Sequence, residues 1–270
     1  MKRRVWSLII TLFGDAVVPR GGRVAARTVT EVMVRIGVEE GAVRTAFSRL
    51  VADGWVERSR RGRAAFYALS ADGHAPFEEA ARLIYAAPRD EPPRLALAVA
   101  PPDMAPPTGA SPLRDGAMLF DRSDPGLEAA LRDAGCLVVP AEGVDRWPAW
   151  TRGGEREQAH AACDALAERY GDVTPADDLD AVAQRTLLIH DWRRLVLRHH
   201  AVVFPPAPGA GPGAGPGAGK GAGDDPLDGC RRFVRDRYRR WLPASERWLE
   251  AHGLPAHDDR VERRFVTITA

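Results

Sequence analysis

Apolar residues recur at helical spacing in three short stretches near the start of the chain, and then give way to strict alternation. Residues 7–14 form a short apolar helix. Residues 25–36 form a second, closed by Gly37, which suits the left-handed position just past a helix end. Glu39 and Glu40 open a third helix, where carboxylates complement the N-terminal dipole. At about 100° per residue, Val43, Ala46, Phe47, Leu50 and Val51 fall on one apolar stripe. The opposite face carries Gly41, Thr45, Ser48 and Ala52, flanked by Arg44 and Arg49. After Gly54 the period drops to two. Residues 55–59 and 64–69 read as strands around Arg60-Arg61-Gly62-Arg63, where the glycine permits a tight hairpin.

Helix, helix, helix and basic hairpin, in that order, is the pattern of a winged helix-turn-helix. Charge sharpens the reading. The whole chain carries 38 Lys and Arg against 37 Asp and Glu, so no global field draws it to a polyanion. Residues 1–73 nevertheless hold thirteen basic and seven acidic side chains, leaving the remainder mildly acidic. Small and hydroxyl side chains between Arg44 and Arg49 allow close approach to a major groove, where arginines reach guanine edges or phosphates. The expected DNA-binding set is Arg44, Thr45, Ser48 and Arg49 on the third helix with Arg58, Arg60, Arg61 and Arg63 on the wing. Wing arginines contact phosphates or the minor groove and contribute salt-sensitive affinity. The alternatives are a solvated basic face and a winged helix used only for protein contacts.

Farther along, residues 95–99, 117–120 and 136–139 read as strands and 125–134 as a helix. Residues 155–170 form an amphipathic helix with Ala159, Ala162, Cys163, Leu166 and Ala167 inward. Residues 185–200 form another, apolar at Leu187, Leu188, Trp192, Leu195 and Val196, with Arg193, Arg194 and Arg198 beside them. Those arginines, and Arg231, Arg232, Arg235, Arg237, Arg239 and Arg240 before Trp241, are either phosphate ligands or a solvated helix face paired with acids such as Asp228 and Asp236. Residues 205–223 mix Gly, Pro and Ala, which cannot build a core, and are expected to form a tether.

Catalytic chemistry finds little footing. There is no GxSxG, HExxH or P-loop pattern, so neither catalytic residues nor a cofactor are expected. The residual enzyme reading is an acyl-CoA hydrolase using His190 with Asp191. His199 and His200 are adjacent, so on a helix they point about 100° apart, and no metal site is expected. Cys136, Cys163 and Cys230 are widely spaced and odd in number, which suits a reducing, cytoplasmic setting. The apolar run 5–13 is short, precedes Asp15 and lacks a small-x-small cleavage site, so it is read as a core helix; no segment reaches membrane-spanning length.

Several of these residues also carry a family resemblance. Gly14-Asp15, Pro19-Arg20-Gly21-Gly22, Val43-Arg44-Thr45-Ala46, Ser48-Arg49-Leu50, Gly54-Trp55, Gly62-Arg63 and Tyr67 closely resemble the start of PaaX-type repressors, regulators of phenylacetic acid degradation. A weaker likeness lies in residues 188–195, in Trp241-Leu242-Pro243 and in Trp248-Leu249, which resemble the helical C-terminal part of that family. The resemblance implies an α+β protein: a winged helix-turn-helix over 1–74, a linker helix over 75–92, a small ferredoxin-like α/β domain over 93–173 and a helical domain over 174–270. It further implies a homodimer on a palindromic double-stranded operator, released by an aryl-acyl-CoA such as phenylacetyl-CoA. Trp192, Arg193, Arg194, Arg198 and Trp241 are the residues expected to hold that effector, the tryptophans meeting the aryl group and the arginines the phosphates.

Overall fold

A computed structural model describes residues 4–88, 94–107, 109–113, 115–122, 125–140, 155–199 and 226–266. The expected tether at 205–223 and His200 lie outside them. The architecture is α+β, with two small antiparallel sheets. It divides into two compact units, one of residues 1–88, 165–194 and 231–270 and the other of 89–164 and 195–230.

The first unit begins with α1 (Val5–Leu12), continued by a widened helical turn at Phe13–Val17 and a tight one at Val18–Arg20. Strand β1 (Arg23–Ala25) leads into α2 (Ala26–Arg35) and α3 (Glu40–Ala52), and a hairpin of β2 (Val56–Arg61) and β3 (Ala64–Leu69) follows. The stop between α2 and α3 is written in the sequence. Gly37 has φ +90°, its N–H bonds to the Val34 carbonyl at 2.9 Å, and the Val38 N–H reaches the Met33 carbonyl at 2.9 Å. This paired closure satisfies the last carbonyls of α2, and only a residue without Cβ enters that backbone region freely. The end of α3 repeats it, with Gly54 bonded to Val51 and Trp55 to Leu50.

Val43, Ala46, Phe47 and Leu50 of α3 are buried as the stripe predicts, but Val51 is 39% exposed. Val51 lies at the edge of the stripe, about 80° from Val43 at 100° per residue, beyond the reach of the packing surface. Helix α4 (Ala71–Ile84) starts inside the segment assigned to the winged helix and ends well before residue 92, so the expected linker helix is displaced toward the N-terminus.

The helical segment 174–270 does not stand alone as expected. Val182 of α7 (Asp178–His199), Trp248 and Leu249 of α8 (Pro226–Ala251) and Leu254 share one core with α1, α2 and α3. A buried polar network fastens the same elements. Asp15, fully buried in the widened turn after α1, accepts from Arg185 Nε of α7 at 2.8 Å, from Arg264 Nη1 at 2.9 Å and from Tyr85 OH at 2.8 Å. Arg185 also donates to Glu246 of α8 at 2.9 Å, and Arg20, itself buried, pairs with the same carboxylate. Burial alone would raise the Asp15 pKa; the guanidinium groups of Arg185 and Arg264 outweigh it and hold the carboxyl below its ordinary range. Burial lowers the Arg20 pKa to about 10, and pushes those of Tyr85 and Tyr238 above the usual phenol value.

The second unit holds a sheet of order β5-β6-β4-β7, formed by β4 (Leu95–Val99), β5 (Ala110–Pro112), β6 (Ala117–Asp121) and β7 (Leu137–Pro140). All its pairings are antiparallel, with Leu97 opposite Leu119 on one side and Val139 on the other. Helix α5 (Pro125–Asp133) joins β6 to β7, and its Leu131 packs with Ala96, Ala98, Met118, Phe120 and Val138. Strand β5 is an addition to the strands read from the sequence. Among the described residues no helix lies between β4 and β5.

Candidate nucleic-acid interface

Helix α3 is held by its apolar stripe and by one aromatic contact. The Phe47 ring stacks on Tyr67 of β3 with centroids 3.9 Å apart and planes within 10°. That contact fixes the helix against the hairpin. The remaining positions face outward: Arg44, Thr45, Ser48 and Arg49 are all exposed. The Thr45 hydroxyl donates to the Gly41 carbonyl at 3.0 Å and that of Ser48 to the Arg44 carbonyl at 3.1 Å, so each keeps acceptor capacity toward solvent. Arg44 lies 3.6 Å from Glu40, one turn earlier, with three quarters of its side chain in solvent. A pair this open constrains the guanidinium little.

The hairpin register sorts the wing arginines. Arg58 lies opposite Tyr67, Arg60 opposite Ala65 and Arg61 opposite Ala64, leaving Gly62 and Arg63 as the loop. Gly62 has φ +60°, the positive φ that a two-residue hairpin loop demands at its first position. The turn is therefore shorter than the four residues read from the sequence, because Arg60 and Arg61 are still paired. Side chains alternate across a strand, so Arg58 and Arg60 share the face of Val56 and Tyr67, which is the face that packs on α3. Arg61 falls on the other face, with Ser59. There it is joined by a residue not in the expected set: Arg23 of β1 lies 4.7 Å over the Phe66 ring and donates to Ser59 Oγ at 3.1 Å. Strand β1 is three residues long, too short for alternation to announce it.

The residues expected to hold an effector are not assembled into one site. Trp192 is fully buried and its indole N–H donates to the Ile84 carbonyl at 2.8 Å; Trp241 is buried in a T-shaped contact with Tyr170. Arg193 donates to Ser7 Oγ at 2.9 Å, and burial lowers its pKa. Arg198 is exposed. Arg194 alone of the five borders the cleft between α6 (Glu155–Tyr170) and α7, about 320 Å³, with Arg169, Tyr170, Val173, Gln184, Leu187 and Asp191. Apolar periodicity could not separate a core tryptophan from a ligand-facing one. His190 and Asp191, the pair of the hydrolase reading, face different ways: His190 Nδ1 lies 3.1 Å from Thr11 Oγ1, whereas Asp191 accepts from Arg169 and from Tyr170 OH, each at 2.8 Å. No cluster of three or more metal-ligating side chains occurs among the described residues, and no described helix is long and apolar enough to cross a membrane.

Residues 4–73, the segment that builds α1 to β3, match the family model of the PaaX-like protein. The transcriptional repressor PaaX of Escherichia coli is 40% identical over 81 residues, which are 30% of this chain. The match spans about a quarter of that relative's length, 26%. The chain thus carries a PaaX-like segment at its N-terminus, as its motifs suggest. An uncharacterized protein of Mycobacterium tuberculosis of known structure superposes with a TM-score of 0.46 at 15% identity, covering 86% of this chain and 92% of its own.

Proposed function

We propose that this protein is a DNA-binding transcriptional repressor of the PaaX type, reading a palindromic operator as a homodimer through a winged helix-turn-helix over residues 1–74. The observation that carries the reading is the exposed face of α3, with Arg44, Thr45, Ser48 and Arg49 in solvent, on a helix packed through Phe47 against a hairpin that exposes Arg58 and Arg60. On this reading α3 would meet base edges and the hairpin phosphates. The similarity of residues 4–73 to a repressor supports the same reading. Release by an aryl-acyl-CoA rests on the family likeness, and of the expected ligands Arg194 borders the cleft beside α7. Mapping the genomic sites that the protein occupies, followed by anisotropy titration on those fragments with and without phenylacetyl-CoA, tests both parts. Occupancy without a shared inverted repeat would remove operator reading, and binding indifferent to the thioester would remove the effector.

A further inference from the structure

Helix α8 presents an arginine face that the winged helix does not use. Val234, Tyr238, Trp241, Ser245 and Trp248 are buried at spacings of three and four and define its inner stripe. On the helical wheel Arg232 and Arg239 project nearly opposite that stripe, with Arg235 and Arg240 on its flanks. Arg239 and Arg240 are exposed, and Arg235 is partly so. Between residues 231 and 242 the only acid is Asp236, which lies 2.9 Å from Arg235 Nε. A helix face this rich in arginine and this poor in acid repels itself, and gains most from a partner that supplies many negative charges.

The placement of α8 selects that partner. Its C-terminal end docks on α2, the helix before α3: Trp248 and Leu249 pack in the core that holds Val29 and Val32, Thr28 Oγ1 donates to the His252 carbonyl at 3.3 Å, and His252 Nε2 lies 3.4 Å from Glu31. The arginine face is thus carried on the same compact unit as the exposed face of α3. At 1.5 Å per residue, Arg240 and Arg235 stand about 12 and 20 Å along the helix from Trp248. Those lengths correspond to roughly four to six phosphates of a DNA strand at about 3.4 Å each. Planar guanidinium forks match phosphate oxygens in pairs.

We infer that the outward face of α8, through Arg235, Arg239 and Arg240, is a second phosphate-contact surface that engages duplex DNA flanking the segment read by α3. The inference rests on the DNA-binding reading above, and its test keeps the two apart. Binding of the full chain to a labelled mixed-sequence duplex of ~40 bp is followed by anisotropy from ~0.05 to ~0.3 M salt, where each phosphate contact adds about 0.9 to the slope of log K against log salt. The combined variant Arg235→Gln, Arg239→Gln, Arg240→Gln lowers that slope by about 2 to 3 per protomer, and the same three positions changed to Lys restore it. The single change Arg239→Gln, on a fully outward side chain, lowers the slope by about 0.9 and guards against a folding defect in the triple variant. A wild-type slope in both Gln variants, alongside a reduced slope when Arg58 and Arg60 are changed, overturns the α8 surface and leaves DNA binding intact. Absence of any salt-dependent binding by the wild-type protein overturns the DNA reading itself. A wild-type slope joined to loss of coenzyme A binding heat in the triple variant assigns the face to a free nucleotide and likewise overturns the inference.

Discussion

Asp15 Oδ2 lies 2.8 Å from Arg185 Nε, and essentially no part of either side chain reaches solvent. Asp15 belongs to the turn that ends α1, and Arg185 to a helix 170 residues later in the chain. The pair is part of a larger network: Arg264 donates to both the side chain and the carbonyl of Asp15, lies 4.0 Å over the Tyr85 ring and donates to Tyr238 OH. Helix α7, through Arg185, and the segment after α8, through Arg264, therefore converge on one carboxylate. A change in the arrangement of α7 or α8 would be felt at α1, which packs directly against α3.

Removing the charge of Asp15 leaves Arg185 and Arg264 buried without their shared counter-ion. Asp15→Asn keeps the shape but turns an acceptor-only group into one that is half donor. Breaking a buried pair on one side costs about 3–5 kcal/mol. The expected outcome is a fall in urea midpoint corresponding to that loss, with no change in m; a midpoint within error of wild type would mean that the network contributes no net stability.

The same carboxylate gives stability an acid limb. Its pKa is lowered in the folded state, so its contribution is fully present above the unfolded value of about 3.9 and is lost as pH falls through the folded value. Thermal melts between pH 7 and pH 2 should show Tm falling steeply below about pH 4 in the wild type, and less steeply in Asp15→Asn. Parallel curves for the two proteins would assign the acid limb to other carboxylates.

The contrast between α3 and this network marks what the sequence could disclose. The stripe of α3, its glycine-terminated neighbour and the hairpin are local patterns, each written within a dozen residues, and they emerge as expected apart from Val51 and the tighter turn. Arg20, Arg185 and Arg264 carry the same letter as Arg44 and Arg49, yet three are buried and two exposed. What separates them is a partner far away in the chain, which periodicity does not see. The same limit hid the union of α7 and α8 with the N-terminal helices. It also made Trp192 and Trp241 look available to a ligand, when one caps the Ile84 carbonyl and the other fills the core.

Arg44 and Arg49 sit on opposite flanks of the exposed face of α3, with Ser48 and Thr45 between them. If α3 enters a major groove, a bidentate contact to guanine is worth about 1–3 kcal/mol of discrimination. Arg44→Ala should then lose selectivity for an occupied genomic site over random duplex in a gel-shift competition, while retaining most of its affinity for the random duplex. Equal losses on both DNAs would place Arg44 on phosphate instead.

The hairpin makes a finer prediction, because its register divides its arginines between two faces. Arg58 and Arg60 share the face that packs on α3, whereas Arg61 lies on the opposite one with Arg23 and Ser59. If the hairpin meets DNA on the side of α3, the first pair is the one that contacts it. Changing Arg58 and Arg60 to Gln should weaken binding to all sequences alike and reduce the slope of log K against log salt by nearly 2, at about 0.9 per phosphate contact. Changing Arg61 alone should alter the slope far less, and adding Arg23→Gln to it should not change that. A larger effect from Arg61 than from the Arg58 and Arg60 pair would show that the hairpin meets DNA through its outer face, with Arg23 and not the α3 flank as its partner.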